Sequence, residues 1–480
     1  MGKKPVSAQT NPGTVTNGAE ALISALGQFA ASIELDKVPV LVKAQAKLCI
    51  LDTIGCMVAG SELDDGRALI AAEEGLANRA EATALGIPER LSMMAAARIN
   101  GYLGDILELN DLIGGHASIS NVSAALAVAE ARGRSGADLL RAVIGGIETT
   151  SRIHAAFRKD MKPYTEVGIA GVGLVGTFGS AAAVASLYGL GPTRTAEAIA
   201  ISGALAGWCP AEVIFRHGGT IKPLLFGSWP ASVGILAAQY ASHAITGPAK
   251  LLEGDLGFFA TTATKFNAAE ILAPEKWHLA EPRRKLHACC GYIHSPIDVV
   301  AALRREKGPE IFRGAEIHVR LNPPVVAAVS KRGLPATPND ARFHGQYCIA
   351  LAADGADIIR PEHSAHFGRY LERETIRSLA GRISIEGDPG CENYQESVVE
   401  VISNDGTRLE VRGNSPKGSP ANPMTDAEVI EKFLRLTANQ LAPAEAQDYI
   451  QRVKALESQP DCSWLLQCFT AKAGNARVVR

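Results

Sequence analysis

The hydrophobic pattern of this chain changes character twice, and these changes limit the folds open to it. From Ala19 to about Ala260, alanine-rich helical patterns follow one another between Gly or Pro breaks, almost without alternating β-branched runs. After about Trp277, several stretches alternate apolar and polar residues as half-exposed strands do. From Thr425 the helical pattern returns, with Thr425 and Glu428 spaced as a capping box. The pattern predicts a mainly α protein with a smaller α+β part.

The simplest architecture returns the C-terminal segment to the first helical region. We therefore predict a flexible tail over 1–17, an all-α helical domain from 18–278 and 420–480, and an α+β lid domain over 279–419; a chain of 480 residues suits two domains. The predicted helices of the large domain include Pro39 to Val58, Arg90 to Leu109, Val122 to Arg132, Ala137 to Ala156, Gly171 to Leu187, Thr193 to Ala206 and Ala231 to Ser242. The lid is predicted to hold strands in GAEIHVRLN, GRISIEG and SVVEVISNDGTRLEVRG, a hairpin turn at Asn404-Asp405-Gly406, and helices over Ser295 to Lys307 and Ala341 to Ala353.

Charge and cysteine content exclude several classes of protein. With 48 basic and 50 acidic residues the formal net charge is -2, so no nucleic-acid or membrane partner is expected. Nine cysteines without a Cys-x-x-Cys pair argue against a disulfide scaffold and against secretion. The longest apolar stretch, Val167 to Leu190, is rich in small residues and favours a packed central helix over a membrane span. We expect a cytoplasmic or organelle-matrix protein.

The densest chemistry lies in KLHACCGYIHSPID, 285–298, preceded by Arg283 and Arg284. Here three cations come before His287, Cys289, Cys290 and His294, groups that exchange protons near neutrality. Ser295-Pro296 is typical of a helix start, where a substrate carboxylate is well placed. The alternative interpretation is a basic loop with two buried thiols.

Three further segments carry candidate groups. Asp111 and His116 lie in a Gly-broken loop, where an acid can orient an imidazole. Lys222 stands before Pro223 at a predicted helix start, and Tyr347 lies three residues after His344. Each segment equally suits ordinary loop or surface residues. His363 and His366 lack a third ligand and Cys289-Cys290 a cluster spacing, so we expect no metal and no cofactor.

Taken in order, several segments resemble the MmgE/PrpD family, which includes 2-methylcitrate dehydratase, cis-aconitate decarboxylase and iminodisuccinate epimerase. The similarity spans nearly the whole chain and is specific as an ordered set. It is carried by LDTIGCMVAGS (51–61), NGYLGDILELND (100–111), HASISNVSAALAVAE (116–130), VGTFGSAAAVASLYGL (175–190), GGTIKPL (218–224), ITGPAKLLEGDLGFF (245–259), KLHACCGYIHSPID (285–298), ARFHGQYCIA (341–350) and KGSPANPMTDAEVIEKF (417–433).

The resemblance implies a helical domain from both chain ends, an α+β lid, a homodimer and a site at the domain junction. By motif position it implies a catalytic core of five residues: Asp111, His116, Lys222, Lys285 and Tyr347. The sequence also departs from the family pattern, because Ala170 stands where the family has a histidine, Leu225 replaces another and Ser228 an arginine, Ala117 replaces a proline, and Cys290 stands at a histidine position of the decarboxylase branch.

Family chemistry implies a carbanion beside a carboxylate, which cations and hydrogen-bond donors stabilise as an enediolate. We predict that Lys222 and Lys285 bind carboxylates, with Arg284 and Tyr164 as further substrate contacts. His116, oriented by Asp111, is predicted to transfer a proton, and Tyr347 with His294 to act on the departing side. If a second base is needed, Cys290 is the nearest candidate, because nearby cations lower the pKa of a thiol and favour the thiolate. A cofactor-independent hydro-lyase on a small polycarboxylate ranks first, before an isomerase or epimerase and a binding protein without catalysis.

Overall fold

The computed structural model describes residues 21–74, 79–215, 219–273 and 275–473. The predicted flexible tail, 1–17, lies outside the described residues.

Long helices dominate both ends of the chain, as the sequence pattern predicted. Ser92 and Ser135 begin two of them, each accepting a backbone N–H three residues on. Helices of ten residues or more are α1 (Leu22–Ala31), α2 (Val40–Ser61), α3 (Asp64–Glu74), α4 (Met93–Asp105), α5 (Ala117–Ala131), α6 (Gly136–Arg158), α7 (Gly171–Tyr188), α8 (Pro192–Ala204), α9 (Trp229–Ser242), α10 (His294–Lys307), α11 (Gly345–Asp354), α12 (Asp426–Thr437), α13 (Pro443–Lys454) and α14 (Trp464–Ala473).

Shorter helices connect these elements. They are Tyr164–Val167, Glu212–Phe215, Phe258–Thr262, Ala269–Leu272, Pro323–Val329, Pro338–Arg342, Pro361–Ala365, Phe367–Leu371 and Glu374–Ala380.

The predicted strands form one four-stranded sheet. Its strands are β1 (Glu316–Leu321), β2 (Ile383–Gly387), β3 (Ser397–Ile402) and β4 (Arg408–Gly413), in the order β2-β1-β3-β4. β1 pairs in parallel with β2 and antiparallel with β3, and Val319 lies opposite both Ile385 and Val399. The β3–β4 hairpin turns where the sequence predicted, with Gly406 at a φ of 85°. The alternating apolar residues of β1 face the lid core.

The C-terminal helices pack against the N-terminal ones. Phe433 and Leu436 of α12 lie in the same core as residues of α2, and a Cβ at Gly55 would lie 3.3 Å from the Phe433 ring. Thr425 and Glu428 form the predicted capping box at the start of α12. The described residues include one helix long and apolar enough to span a membrane, Gly171–Tyr188, and 78% of that stretch is buried inside the protein. It is the packed central helix expected from its small residues.

Two helix predictions were too long. Arg90 to Leu109 was predicted as one helix, but α4 ends at Asp105, and Glu108 then adopts a φ of 51° that no helix accommodates. The stretch Ala341 to Ala353 divides into Pro338–Arg342 and α11, because His344 is extended and caps α11 through its ring nitrogen.

Candidate active site

Two buried lysines and two buried carboxylates meet where the helical domain faces the lid. Lys222 Nζ lies 2.9 Å from Asp105 Oδ2 and also contacts Glu108 Oε1. Lys285 Nζ lies 2.6 Å from Glu108 Oε2 and donates to the Glu108 carbonyl oxygen at 3.2 Å. Glu108 therefore bridges both lysines, and all four side chains are at most 5% exposed.

Charge interactions favour the charged forms of Lys222 and Glu108, whereas burial raises the pKa of Asp105. Burial alone would lower the pKa of Lys222, but Asp105 and Glu108 outweigh it and raise that pKa. Burial alone would raise the pKa of Glu108, but Lys222 and Lys285 hold it below its usual range. The site thus contains ammonium groups already desolvated and held in place, which is what recognition of a carboxylate requires.

Glycine contacts bring Lys222 to Asp105. Helix α4, which ends at Asp105, packs against the π-helical turn Leu224–Ser228 that follows Lys222. A Cβ at Gly101 would lie 2.5 Å from the carbonyl oxygen of Gly227, so this approach requires glycine. Phe226, in the same turn, lies under Lys222, whose Nζ is 4.5 Å from the ring centroid.

The segment from Glu108 to His116 holds unusual backbone. Glu108 has a φ of 51° and His116 a φ of 125°, and both are non-glycine residues. Gly114 and Gly115, with φ of 52° and 84°, complete the turn before α5. Such conformations cost about 1 to 3 kcal/mol each and persist where the surrounding structure imposes them, commonly in active sites.

Asn110, and not Asp111, orients His116. The amide Nδ2 of Asn110 lies 3.0 Å from His116 Nδ1, and the ring packs edge-on against Phe226 with centroids 5.5 Å apart. The predicted Asp111 contact is therefore wrong. Burial, followed by the charges of Lys222 and Lys285, lowers the pKa of His116 well below its usual value, so its imidazole is neutral at neutral pH.

Asp111 and Arg284 have hydrogen-bond partners other than the two lysines. One carboxylate oxygen of Asp111 accepts the backbone N–H of Ile113 at 3.3 Å, and burial raises the Asp111 pKa to about 6. Arg284 Nη1 donates to Gln45 Oε1 at 2.9 Å, which fixes the guanidinium against α2. The prediction that Arg284 binds substrate is therefore contradicted, because its terminal nitrogens are directed to helix α2.

Cys290 and His294 are buried on the lid side. Burial raises the pKa of Cys290 to about 12 despite the opposing effect of Lys285, so the predicted thiolate is wrong and the group is a neutral thiol. The nearby carboxylate Glu108 adds to that increase. His294 Nε2 lies 3.3 Å from the Cys289 carbonyl oxygen, and burial, His287 and Lys285 lower the pKa of His294 well below its usual value.

Tyr347 does not present its hydroxyl to the lysines. Its Oη donates to the carbonyl oxygen of His363 at 2.7 Å, and the side chain is 1% exposed in the lid core. Its predicted role as a hydrogen-bond donor to the substrate is therefore wrong, because the hydroxyl hydrogen is already donated to His363. Tyr164 is buried beside Tyr292, and burial raises its pKa well above its usual value.

Apolar packing fills the wall where the family histidines are missing. Ala170 is fully buried and its N–H donates to the carbonyl oxygen of Cys209 at 2.8 Å. A Cβ at Gly173 would lie 2.8 Å from Cys209 Sγ and 3.0 Å from the Phe226 ring. Leu225 also packs against this apolar group. One side of the site is thus lined by apolar groups and thiols instead of imidazoles.

Sequence reasoning missed four residues of the site and its support. Asp105 and Glu108 fell within the predicted helix Arg90 to Leu109, and Asn110 was given no role. Lys432, from α12, lies behind the site and donates to the carbonyl oxygens of Leu109 and Lys285. The acid-rich run DILELND was the available signal, because acids closely spaced in an apolar stretch require buried cations. Among the described residues no group of His, Cys, Asp and Glu is arranged to hold a metal ion.

A mainly helical domain completed by the C-terminal helices, an α+β lid, and buried lysines at their junction are what the resemblance to the MmgE/PrpD family implies. The comparison with known families agrees: the profile of the MmgE/PrpD N-terminal domain matches residues 24–270, and that of the MmgE/PrpD C-terminal domain matches 287–458. The chain belongs to the MmgE/PrpD family.

Its curated relatives are similar over most of their length. A cis-aconitate decarboxylase-like protein of Aspergillus oryzae is 28% identical, over 89% of this chain and 93% of that protein. The cis-aconitate decarboxylase of Aspergillus terreus is 25% identical over 94% and 96% of the two chains. Human cis-aconitate decarboxylase is 27% identical over 88% and 89%.

Proposed function

We propose that this protein is a cofactor-independent lyase that acts on a small polycarboxylate through an enediolate intermediate. The observation that carries the proposal is the buried pair Lys222 and Lys285, bridged by Glu108 beside a neutral His116. The names of the relatives support lyase chemistry, and at 24% to 28% identity they leave the substrate open.

Loss of carbon dioxide, or of a proton, next to a carboxylate leaves a carbanion whose charge moves onto the carboxylate oxygens. Cations and hydrogen-bond donors already in place stabilise that charge without reorganisation. Asp105 and Glu108 contact Lys222, and Glu108 also contacts Lys285, so carboxylates of the protein occupy both lysines before substrate binds. A substrate carboxylate takes the place of a Glu108 oxygen at one lysine, while the other lysine keeps Glu108.

His116 is proposed to act as a hydrogen-bond donor and proton source. When the Asn110 amide nitrogen donates to Nδ1, the hydrogen of the neutral ring is on Nε2. That hydrogen is available to an enediolate oxygen or to the departing group. With Ala170 and Leu225 apolar and Cys290 a neutral thiol, His116 is the principal proton carrier of this proposal.

The deciding experiment follows the purified protein by NMR in deuterated water with cis-aconitate, citrate, 2-methylcitrate and iminodisuccinate. Release of carbon dioxide supports a decarboxylase, and loss of water supports the hydro-lyase inferred from the sequence. Deuterium uptake without net product would make the protein an isomerase, and binding without any exchange would make it a binding protein. His116→Ala should lower the rate at least about a hundredfold with the fold intact, and normal turnover would contradict the assigned role.

We also propose that the enzyme is cytoplasmic and works as a homodimer on a free small molecule, without nucleic acid or membrane. The balanced charge and the buried position of Gly171–Tyr188 support this proposal. Fractionation of cells that express a tagged chain tests the location, and recovery in the membrane fraction would contradict it.

A further inference from the structure

A cleft of about 480 Å³ lies between the helical domain and the lid, and Arg342 is one of its lining residues. Its helical wall comes from the end of α2, the start of α3 and the end of α12, and its lid wall from Pro338–Arg342 and Pro361–Ala365. This volume is within the range of small-molecule sites, roughly 300 to 1,000 Å³. Lys222, Lys285 and His116 do not line the cleft.

Three arginines face this cleft without a close carboxylate. Arg342 is 2% exposed; its Nε donates to Ser364 Oγ at 3.2 Å, and it forms no ion pair among the described residues. Arg360 and Arg435 have their nearest carboxylates, Glu362 and Glu431, only at 4.0 Å. Burial, together with the like charge of Arg360, lowers the pKa of Arg435. Buried or crowded guanidinium groups are normally paired with carboxylates, so guanidinium groups without a close carboxylate favour the binding of an anion.

The acids of the cleft are mostly engaged elsewhere. Glu62 accepts hydrogen bonds from Asn439 at 3.1 Å and Gln440 at 2.9 Å. Asp64 pairs with Arg67 at 2.5 Å. The lining as a whole contains four arginines and four acids, so net charge does not favour an anion here. The favourable feature is that the guanidinium donors of Arg342, Arg360 and Arg435 have no carboxylate partner closer than 4.0 Å among the described residues.

Arg342 connects this cleft to the candidate active site. Its carbonyl oxygen accepts the backbone N–H of Cys290 at 2.9 Å. Burial lowers the pKa of Arg342, and the charges of Asp65 and then Glu108 oppose that effect. An anion bound to Arg342 would therefore change the electrostatic environment of Glu108, which bridges Lys222 and Lys285.

We propose that this cleft is a second binding site, for a small di- or tricarboxylate held by Arg342, Arg360 and Arg435. Planar guanidinium groups bind carboxylates through paired hydrogen bonds, and three of them match a multiply charged ligand better than a monocarboxylate. Because the ligand contacts both domains, its binding stabilises the closed arrangement of helical domain and lid. Binding of a carboxylate in this cleft does not depend on whether the lysine cluster is catalytic.

The test is calorimetric titration of the full-length chain with citrate, comparing the wild type with Arg360→Gln and Arg435→Gln. Each variant should weaken citrate binding at the cleft at least about tenfold, because one charge-assisted contact is lost. Both side chains are partly exposed, so the fold is retained. Arg313→Gln is the matched control, since Arg313 is 79% exposed on the lid outside the cleft and pairs with Glu310.

Unchanged citrate binding in Arg360→Gln and Arg435→Gln would overturn the proposal, as would equal weakening by Arg313→Gln. Inorganic phosphate and acetate are the comparison probes, and phosphate binding tighter than citrate would overturn the carboxylate assignment. Turnover is measured separately with His116→Ala. If the protein shows no lyase activity but Arg435→Gln still weakens citrate binding, the proposed function is wrong and the second binding site is supported.

Discussion

The hydrogen-bond partner of His116 decides what that residue can do. A carboxylate partner would hold the hydrogen on Nδ1 and leave Nε2 as a base. The amide Nδ2 of Asn110 does the opposite, because it donates to Nδ1 and leaves the hydrogen on Nε2. A neutral ring of this form is a hydrogen-bond donor, suited to an enediolate oxygen.

Asn110→Asp tests this assignment. The new carboxylate accepts the hydrogen from Nδ1, so the neutral ring can no longer donate from Nε2. We expect kcat to fall about 10²- to 10³-fold at neutral pH, the usual cost of losing such a donor. Because the carboxylate also favours the imidazolium form, which has both hydrogens, activity should recover as the pH falls. A pH–rate profile measures this, and a variant faster than the wild type at pH 7 would show that His116 acts as a base.

Asp111→Asn should stabilise the protein at neutral pH. Burial raises the pKa of Asp111 from 3.8 to about 6 in the folded protein, so folding favours the protonated form. That contribution is complete below pH 4 and is lost as the pH rises through 6. Asparagine mimics the neutral carboxyl, so the variant should gain up to about 3 kcal/mol at pH 7.5 and nothing at pH 4. Urea denaturation at both pH values measures this, with the exposed Asp357→Asn as control; an equal effect at both would contradict it.

At the scale of elements, the sequence predicted the helices and strands well and the site loop poorly. Helical periodicity and the Thr425–Glu428 spacing are local signals, and the structure confirms them. The end of α4 at Asp105 was not predictable in this way. The residue with the positive φ, Glu108, contacts two lysines, one more than a hundred and the other more than a hundred and seventy residues away, and such contacts are not local signals. The same holds for Tyr347, whose helix was anticipated but whose hydroxyl partner, a carbonyl of another helix, was not.

Helix α12 supports the site through one lysine. Lys432 Nζ lies 2.7 Å from Asp52 Oδ1 and donates to the carbonyl oxygens of Leu109 at 2.7 Å and Lys285 at 3.0 Å. It thus joins α2, the Glu108 loop and the Lys285 loop at one point. Through these hydrogen bonds α12 holds the two loops of the site in place, and Lys432 acts on their backbone instead of on the substrate.

Lys432→Met should destabilise the protein by about 3 to 5 kcal/mol, because Asp52 is left buried and unpaired. Chemical denaturation measures this change. Asp52→Asn/Lys432→Met should recover part of it, since no lone charge then remains. The matched control is Lys47→Met, which also removes a link between α2 and the C-terminal segment but involves a partly exposed pair with Glu457, worth less than about 1 kcal/mol. A loss no greater than that of Lys47→Met would contradict the role given to Lys432.

For the whole molecule, the site is assembled from segments far apart in sequence. Glu108 and His116 come from one loop, Lys222 from a second, Lys285 from a third, and Lys432 from the C-terminal end. The similarity in ordered motifs identified most of these residues, but it gave no distances and therefore no pairing. That is why Lys222 and Lys285 were expected as cations of one site, while the carboxylate that both contact was overlooked.

The homodimer implied by family resemblance stays a prediction, and the surface offers a place to test it. Leu205, Trp208, Ile221 and Trp229 are exposed by 39% to 72%. A Cβ at Gly207 would lie 3.2 Å from Trp229 Nε1, which brings two of these segments together. A cluster of exposed aromatic and aliphatic groups is costly in water and typical of a self-association surface.

We expect light scattering to give about twice the 50.5 kDa of the chain, because this face is covered by a second copy. Trp208→Glu should shift the mass toward that of a single chain, since a charge in the centre of an apolar interface is strongly unfavourable. Leu256→Glu is the control, because Leu256 is fully exposed and should leave the mass unchanged. A wild-type mass of one chain would refute the dimer. A dimer unaffected by Trp208→Glu would place the interface on another face.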